Sequence, residues 1–551
     1  MAILDASFAQ ASISMSSGSG GAVDFLTLLS FSASFIAWTT TDGNRISATS
    51  FAGDIAVSAG VPTAGTINAL TAITSAGLGI YSVSGLSAAL PAITAAPNLE
   101  TYWRAILSGA TTILLPNGVF GQFTGDFLSV GAETLTGAAD TFIGQNGFGS
   151  IMFLNGDAND VAAGGNLHGG ADRMVVTSDC VLAGDASSNL GIVTGGNDNL
   201  LFLETSVSTG PLVAGDVFTN AGDCTGGADV IEVRDGRLRF LAGDAFVNQS
   251  GILRGGADRI TFVRGGANAT AGECDAITGG TVFAGADIIT GSDANDTIYG
   301  EVRLMTGGTL LLDATHTGAD RLSGGAGADT LNGQIGNDVL IGGSGGDLLD
   351  GGDGLDSSDY RLESAIILDL LLNTSGLAAA GDVLVAVERV LGSDSGHDLI
   401  SGANSAEYFY GYKGNDRLGG RGGNDLLAGG DGDDTLNGGD GRDTLIGGAG
   451  IDNFDFNAIT ESTALLPDVI TDFVHGVDKL DLSTIDASAS GIGDQAFSFI
   501  GAAAFTAEAQ ARAFSSGGIT ILELNTAGVS GAEMVIRLTG AVALSLGDFI
   551  A

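Results

Sequence analysis

The chain is poor in proline, lysine, cysteine and histidine, and each shortage removes a class of protein. Six Pro stand beside 91 Gly in 551 residues. Collagen needs proline and a period of three, so the glycine has another use. The 44% apolar content exceeds that of disordered chains. Glycine without proline, among many Val, Ile, Leu and Thr, points to packed strands joined by tight turns. The only lysines are Lys413 and Lys479. With 64 acidic against 20 basic residues, the net charge is −44. Such a surface repels nucleic acid and anionic lipid and attracts cations. Cys180, Cys224 and Cys274 form no CxxC pair, which argues against a zinc site or a disulfide framework and for small buried side chains. His168, His316, His397 and His475 lie far apart and include no HExxH, so the ligands of a zinc protease are missing. No long apolar run exists either. FLTLLSFSASFIAW at 25–38 is too short and too serine-interrupted to span a bilayer, and its alternation suits a strand. The N-terminus has no basic region before Arg45 and no continuous apolar stretch, so a signal peptide is not expected.

Repeats fill the space these absences leave. Residues 1–128 read as a small N-terminal β module, with strands at GIYSVSGLS (79–87) and ATTILLPNGVF (110–120) and a short helix near 98–109. Residues 129–300 carry a looser repeat. LHGGADRMV, VTGGNDNLL, CTGGADVIE and LRGGADRIT share a Gly-Gly-x-Asp-x-apolar core, and LNGDAN, LAGDAS, VAGDVF and LAGDAF sit between them. Their acids are Asp126, Asp140, Asp157, Asp172, Asp185, Asp198, Asp216, Asp229, Asp244 and Asp258. Two half-units make a repeat of about 29, a period that signals a stacked solenoid; a row of independent hairpins is the alternative. Glycine is expected to give these turns a positive φ.

A stricter repeat of nine follows. Frames run from THTGADRLS at 315 to 359, and from SDSGHDLIS at 393 to 455. The sixth position is Asp320, Asp329, Asp338, Asp347 and Asp356 in the first series. In the second it is Asp398, Glu407, Asp416, Asp425, Asp434, Asp443 and Asp452. The eighth is aliphatic or aromatic throughout, except Ser358. Positions six and eight of a strand face the same way. Two frames make one winding, so each Asp lies over the Asp eighteen residues later. Two bare carboxylates about 5 Å apart repel by about 0.8 kcal/mol in water, and about four times that at an effective dielectric near 20. Such a ladder opposes folding unless a cation sits between its rungs. Carboxylate and turn carbonyl oxygens, six or more to a site, suit Ca²⁺ better than Mg²⁺. Pairing alternate frames gives about three ions in the first block and about five in the second, about eight in all. The insert at 360–392 interrupts the register of nine and is expected to break the stack, its apolar runs forming a strand pair over an end.

These frames resemble the GGxGxDxUx nonapeptide of RTX (repeats-in-toxin) proteins, which implies a calcium-loaded parallel β-roll. DVITDFVHGVDKLDLS and the final DFIA resemble the C-terminal domain of serralysin-type (peptidase M10) metalloproteases. That resemblance implies export by a type I secretion apparatus that reads an uncleaved C-terminal signal. The fold expected is all-β: the N-terminal module, a β-solenoid-like region at 129–300, roll blocks at 301–359 and 393–457 around the 360–392 insert, and a C-terminal β domain at 458–551. The expected metal ligands are Asp320, Asp329, Asp338, Asp347, Asp356, Asp398, Asp416, Asp425, Asp434, Asp443 and Asp452. Glu407 stands in GANSAEYFY, a frame without the usual glycines, and is left out. Whether 129–300 binds calcium stays open.

No catalytic residue is expected. The GxSxG around Ser344 lies inside GGSGGDLLD, without the strand–turn–helix that a nucleophile elbow needs. The glycine runs lack the lysine of a P-loop and the βαβ unit of a dinucleotide site. The expectation is a secreted calcium-binding protein, extracellular or at the cell surface, serving as adhesin, matrix or surface-layer component with a possible glycan partner. The alternative is an exported polysaccharide- or lipid-active hydrolase or toxin with its site in the N-terminal half; paired acids of the looser repeat could serve a glycosidase.

Overall fold

An acid, a variable residue and an aliphatic, recurring after a glycine turn, can bury two side chains from each short strand. The chain uses that triplet to stack parallel strands. The computed structural model describes the strand backbone between Thr27 and Asn155. From Asp157 to Ile550 it describes all but 177–179, 204–211, 235–236, 239, 265, 268, 313–316, 489, 491–494 and 529–530. The chain divides into two units: Met1–Gly325 with Asn332–Asn337, and Ala326–Leu331 with Asp338–Ala551.

The first unit opens with an antiparallel meander of Thr27–Ser32, Phe35–Thr39, Arg45–Ser58, Val61–Ile73 and Gly79–Ala89. The run expected as one strand at 25–38 is thus a hairpin. The helix expected at 98–109 lies outside the described residues, as do Asp126 and Asp140. Thr112–Leu115 pairs antiparallel with Gly79–Ala89 and parallel with Thr141–Gly144, so pairing changes sense there.

Beyond it the chain winds as a solenoid with four short strands to a turn. One winding is Met152–Asn155, Ala158–Val161, Asn166–His168 and Arg173–Val176; the next is Cys180–Ala183, Ala186–Asn189, Ile192–Thr194 and Asn199–Phe202. Each strand pairs in parallel with its counterpart, and this continues to Val302–Met305 and Thr309–Leu311. Equivalent residues stand 26 to 33 apart. Parallel pairing excludes the row of independent hairpins. The interior is built from columns of like side chains, all buried: Leu167, Val193, Cys224, Leu253 and Val282 form one, Ala158, Ala186, Val217, Ala245 and Cys274 another. Two of the cysteines are therefore apolar spacers. A corner is closed by an amide ladder, in which Asn189 Nδ2 donates to Asn220 Oδ1 at 2.8 Å and Asn220 Nδ2 to Asn248 Oδ1 at 2.9 Å.

The second unit is a roll with two strands to a winding. Tyr408–Lys413, Leu426–Asp431 and Thr444–Ala449 stack in parallel on one side. Leu399–Ser401, Arg417–Gly419, Thr435–Asn437 and Asn453–Asp455 stack on the other. The eighth-position side chains Ile400, Phe409, Leu418, Leu427, Leu436, Leu445 and Phe454 are all within 1% of full burial. Each contributes roughly 1.5–3 kcal/mol of burial free energy, so the roll has a continuous core built from one large side chain per strand.

The insert does not break this stack. Val383–Val385 pairs in parallel with Leu348–Asp350, and Arg389–Leu391 lies between Ser357–Asp359 and Tyr408–Tyr410. The insert lengthens a winding, with Val390 in a core position beside Phe409. It also supplies the expected strand pair at an end: Ile366–Asp369 and Thr374–Leu377 run antiparallel at the edge of the sheet that continues through Leu399–Ser401. The C-terminal region continues the same stack through Asp468–Ile470 and Lys479–Asp481, and adds an antiparallel sheet of Gln510–Ser516, Ile519–Asn525 and Met534–Thr539.

Candidate metal centre

Each sixth-position acid of the roll enters a strand directly after a turn, glycine-rich in every frame but that of Glu407. Its backbone N–H points along the stack to the next winding, where a carboxylate oxygen accepts it. Asp398 N–H donates to Asp416 Oδ1 at 2.8 Å, Asp416 to Asp434 at 2.7 Å, and Asp434 to Asp452 at 3.1 Å. On the other side Asp425 N–H donates to Asp443 Oδ1 at 2.8 Å. In the first block Asp329 donates to Asp347 at 2.8 Å and Asp338 to Asp356 at 2.7 Å. The expected ladder of eighteen therefore exists as backbone-to-carboxylate hydrogen bonds. Asp320 lies in the first unit, where its Oδ1 accepts from Asp287 N–H at 2.7 Å.

Residues outside the nine-residue frames complete the ladder. Asp347 N–H donates to Asp382 Oδ1 and Asp356 N–H to Glu388 Oε2, both at 3.0 Å. Asp443 donates to Asp468 at 2.9 Å and Asp452 to Asp478 at 3.2 Å. Glu407 also takes a rung, its N–H donating to Asp425 Oδ1 at 2.9 Å. The signal for all of these was present in DVL (382–384), ERV (388–390), DVI (468–470) and DKL (478–480). The acid–x–aliphatic triplet, not the spacing of nine, marks a rung.

Asp382, Asp398 and Asp478 use both carboxylate oxygens, Asp398 accepting from Ile366 N–H at 2.8 Å and Ser393 N–H at 2.7 Å, but most rungs do not. Asp347, Asp356, Glu407, Asp416, Asp425, Asp434, Asp443, Asp452 and Asp468 each keep a buried second oxygen with no hydrogen-bond partner. Those oxygens face turn carbonyls. A Cβ placed on Gly411 would lie 2.2 Å from Asp416 Oδ2 and 2.6 Å from the Gly429 carbonyl. At Gly420 it would lie 2.2 Å from Asp425 Oδ2 and 2.5 Å from the Gly438 carbonyl. These gaps are lined by hard oxygen ligands, the donor set that calcium takes. Burial pushes the carboxyls of Asp416, Asp434, Asp443 and Asp452 up to about 6 and that of Asp425 to about 7. A cation in the gap would offset that cost, because an opposite charge favours the ionised form.

The solenoid carries a second set of acids that the frames of nine beginning at 315 do not reach. Asp172, Asp198, Asp229, Asp258 and Asp287 repeat the roll's arrangement, each N–H donating to the carboxylate one winding on at 2.7 or 2.8 Å. Asp157, Asp185, Asp216 and Asp244 instead accept from the N–H of Gly170, Gly196, Gly227 and Gly256. Those glycines have no positive φ, contrary to expectation. They are glycine because a Cβ on Gly196 would lie 1.5 Å from the Gly170 carbonyl, and one on Gly195 would lie 1.9 Å from Asp216 Oδ1. Close approach, not turn handedness, selects them.

Two parts of the serralysin-like resemblance meet in space. Asp548 of the final DFIA is buried and accepts from Gly476 N–H at 2.8 Å and Ser545 N–H at 2.6 Å, with His475 Nδ1 at 2.9 Å. Burial alone would raise its carboxyl, but the hydrogen bonds from Ser545, Gly476 and His475 outweigh that and hold it below the usual range. Phe549–Ile550 pairs in parallel with Leu480–Asp481. His397 is exposed and accepts from Asn415 N–H. Ser344 ends the strand Val339–Ser344, and no helix follows it.

Comparison with known proteins divides the chain differently from the frames of nine, with the RTX match at the end of the solenoid and the serralysin-type match over most of the roll and the C-terminal region. Residues 323–551 match the family described as Peptidase M10 serralysin C terminal. Residues 283–302 match the RTX calcium-binding nonapeptide repeat (4 copies). No curated protein matches the chain. Among solved structures, the AlgE6R3 subunit of the Azotobacter vinelandii mannuronan C5-epimerase is 29% identical, over 27% of this chain and 75% of that one, with a TM-score of 0.13. The extracellular lipase LipA of Serratia marcescens is 17% identical over 49% of this chain, with a TM-score of 0.14, and the match spans 40% of the lipase. Residues 323–551 are a serralysin-type C-terminal domain of the M10 peptidase family, in a chain that carries RTX calcium-binding repeats.

Proposed function

We propose that the chain is a secreted calcium-binding protein that completes its fold when it meets calcium outside the cell, and that it acts there as a non-enzymatic adhesin, matrix or surface-layer component. The observation that carries the calcium reading is the row of half-used carboxylates in the roll, from Asp347 to Asp468, each with a buried oxygen left over. Sites with dissociation constants near 10⁻⁴ M stabilise the folded state by about 1.4 kcal/mol each at millimolar calcium. About eight such sites supply on the order of 10 kcal/mol, the stability of a whole domain. Where calcium is scarce that contribution is absent and the chain remains open for passage through a type I secretion apparatus. Far-UV circular dichroism of the full chain in chelator and in calcium tests this; a spectrum indifferent to calcium sinks it.

A surface recess of about 300 Å³ supports a glycan partner. It is lined by Tyr410, Tyr412, Lys413, Asp394 and Asp431, and the two rings lie 6.3 Å apart. Tyr412 holds φ +70, a left-handed conformation costly for a bulky side chain. Its counterparts in the next two windings are Gly430 and Gly448. An aromatic at a position built for glycine suits stacking on a sugar ring, with the charged neighbours holding its hydroxyls. The acids of the solenoid suit catalysis poorly, because Asp172, Asp198, Asp229 and Asp258 are buried against neighbouring windings and would not touch a substrate. Affinity electrophoresis in acidic and neutral glycans, with wild type and Tyr410→Ala, tests the partner. Retardation lost in the variant supports it; equal mobility in every gel overturns it.

A further inference from the structure

The tightest carboxylate clusters among the described residues lie outside the roll. One oxygen from each of Asp157, Asp172 and Asp185 lies within 4.8 Å of the others, and the same holds for Asp185, Asp198 and Asp216. No acid of the roll joins such a cluster. The two triads belong to successive windings of the solenoid and share Asp185.

Burial and hydrogen bonding exclude the reading of a solvated acidic face. Asp157, Asp185, Asp198 and Asp216 are no more than 1% exposed. Each carboxylate uses one oxygen to hold backbone. Asp185 Oδ2 accepts from Gly196 N–H at 2.9 Å, Asp198 Oδ1 from Asp172 N–H at 2.7 Å, and Asp216 Oδ2 from Gly227 N–H at 2.8 Å. The other oxygens, Asp185 Oδ1, Asp198 Oδ2 and Asp216 Oδ1, are buried with no hydrogen-bond partner. They point into gaps kept open by glycine: a Cβ on Gly184 would lie 1.8 Å from both Asp198 Oδ2 and the Gly215 carbonyl. The charges acting most strongly on Asp185 are those of Asp198, Asp216 and Asp157. At an effective dielectric near 20, each pair of ionised neighbours about 5 Å apart repels by about 3 kcal/mol.

We infer that the solenoid holds a file of calcium ions of its own, with one ion between Asp157, Asp172 and Asp185 and the next between Asp185, Asp198 and Asp216. The three oxygens of each triad all lie within 4.8 Å of one another, close enough for one calcium ion to touch all of them at its usual distance of about 2.3–2.6 Å. Magnesium would demand near-octahedral geometry and several waters that a buried column has little room to hold. Asp185 bridges both ions, so filling one site orders a ligand of the next. Asp229, Asp244, Asp258 and Asp287 continue the pattern in the following windings, each with one buried oxygen left over.

The test uses the full chain, with the roll as internal standard. Crystals grown in CaCl₂ and crystals soaked in MnCl₂ are compared by anomalous diffraction. The expected result is a peak within metal–ligand distance of Asp185, Asp198 and Asp216, besides any in the roll. Roll sites filled while the solenoid column holds no peak at saturating metal would overturn the inference and leave the roll reading intact. In solution, equilibrium dialysis against ⁴⁵Ca²⁺ should count fewer bound ions per chain for Asp185→Asn than for wild type, with those of the roll retained. An unchanged count in a folded variant counts against the column. If Asp185→Asn does not fold, the diffraction experiment on the native chain still decides.

Discussion

At the scale of single residues, a rung of the roll does two jobs with one side chain. Asp434 holds Asp416 N–H with Oδ1 and presents Oδ2 to the gap beside Gly429. Asp434→Asn keeps an acceptor for the first job and loses the charge needed for the second. The expected loss is about 1.4–3 kcal/mol of stability at millimolar calcium, for one or two sites, with little change in chelator. Paired melts with and without EDTA check it. The pH dependence has a defined sign. In the calcium-free fold the carboxyls of Asp416, Asp434 and Asp443 are raised to about 6 and that of Asp425 to about 7, above an unfolded value near 3.9. The folded state then binds more protons, so this stability is complete below about pH 4 and is lost as pH rises through about 6–7. The calcium-free chain should melt higher at about pH 4.5 than at about pH 8, and calcium affinity should weaken as pH falls through the same range. A chelated chain that gains stability toward alkaline pH would contradict this. Tyr412→Gly should leave the melting temperature unchanged or raise it, since it relieves a left-handed tyrosine, while abolishing glycan retardation. The identity of most roll rungs was legible from spacing. The half-used state of most of these carboxylates, and the full use of Asp398, was not, because it depends on where neighbouring N–H groups point.

At the scale of elements, pairing in the stack overrides spacing in the sequence. The 360–392 insert looked like an interruption because it breaks the register of nine. Yet its Asp382–Val383–Leu384 and Glu388–Arg389–Val390 triplets enter the stack as ordinary rungs. A parallel strand needs only its own acid and aliphatic in register, whatever length of loop delivers them. The last strand is held by its pairing with Leu480–Asp481 and by a side-chain anchor. Asp548 ties Gly476 and Ser545 N–H groups and His475 together beside Phe549–Ile550. Asp548→Ala removes the acceptor of two N–H groups on exposed residues, which water can then meet, at a cost of about 0.5–1.5 kcal/mol each. Hydrogen exchange at Leu482, whose N–H donates to the Ile550 carbonyl at 2.8 Å, should speed up selectively. Protection equal to wild type would mean the strand is held by its pairing alone.

At the scale of the molecule, charge and glycine work together. A net charge of −44 would be a diffuse solubility device if the carboxylates pointed to water. Instead a large share of them is drawn into the two repeat regions, where glycine keeps space for a cation and apolar columns supply the packing. Withdrawing calcium should therefore destabilise the roll as a whole instead of loosening single turns, because stacked repeats draw much of their stability from their neighbours. A chelator titration followed by circular dichroism should show a cooperative loss of strand signal. A gradual, non-cooperative decline would place the metal outside the stack.

Sequence alone determined the strand-and-turn period, the apolar column of the roll and the acids that line it, because side-chain alternation and glycine turns are local properties. It also determined the acidity that makes a cation necessary. Tertiary structure decided which triplets outside the period become rungs, that the insert joins the stack, and that the solenoid's Gly-Gly pairs serve close approach. It also decided that Asp185 stands between two triads of carboxylates. All of these depend on what the adjacent winding places within a few ångströms, and a linear spacing does not carry that information.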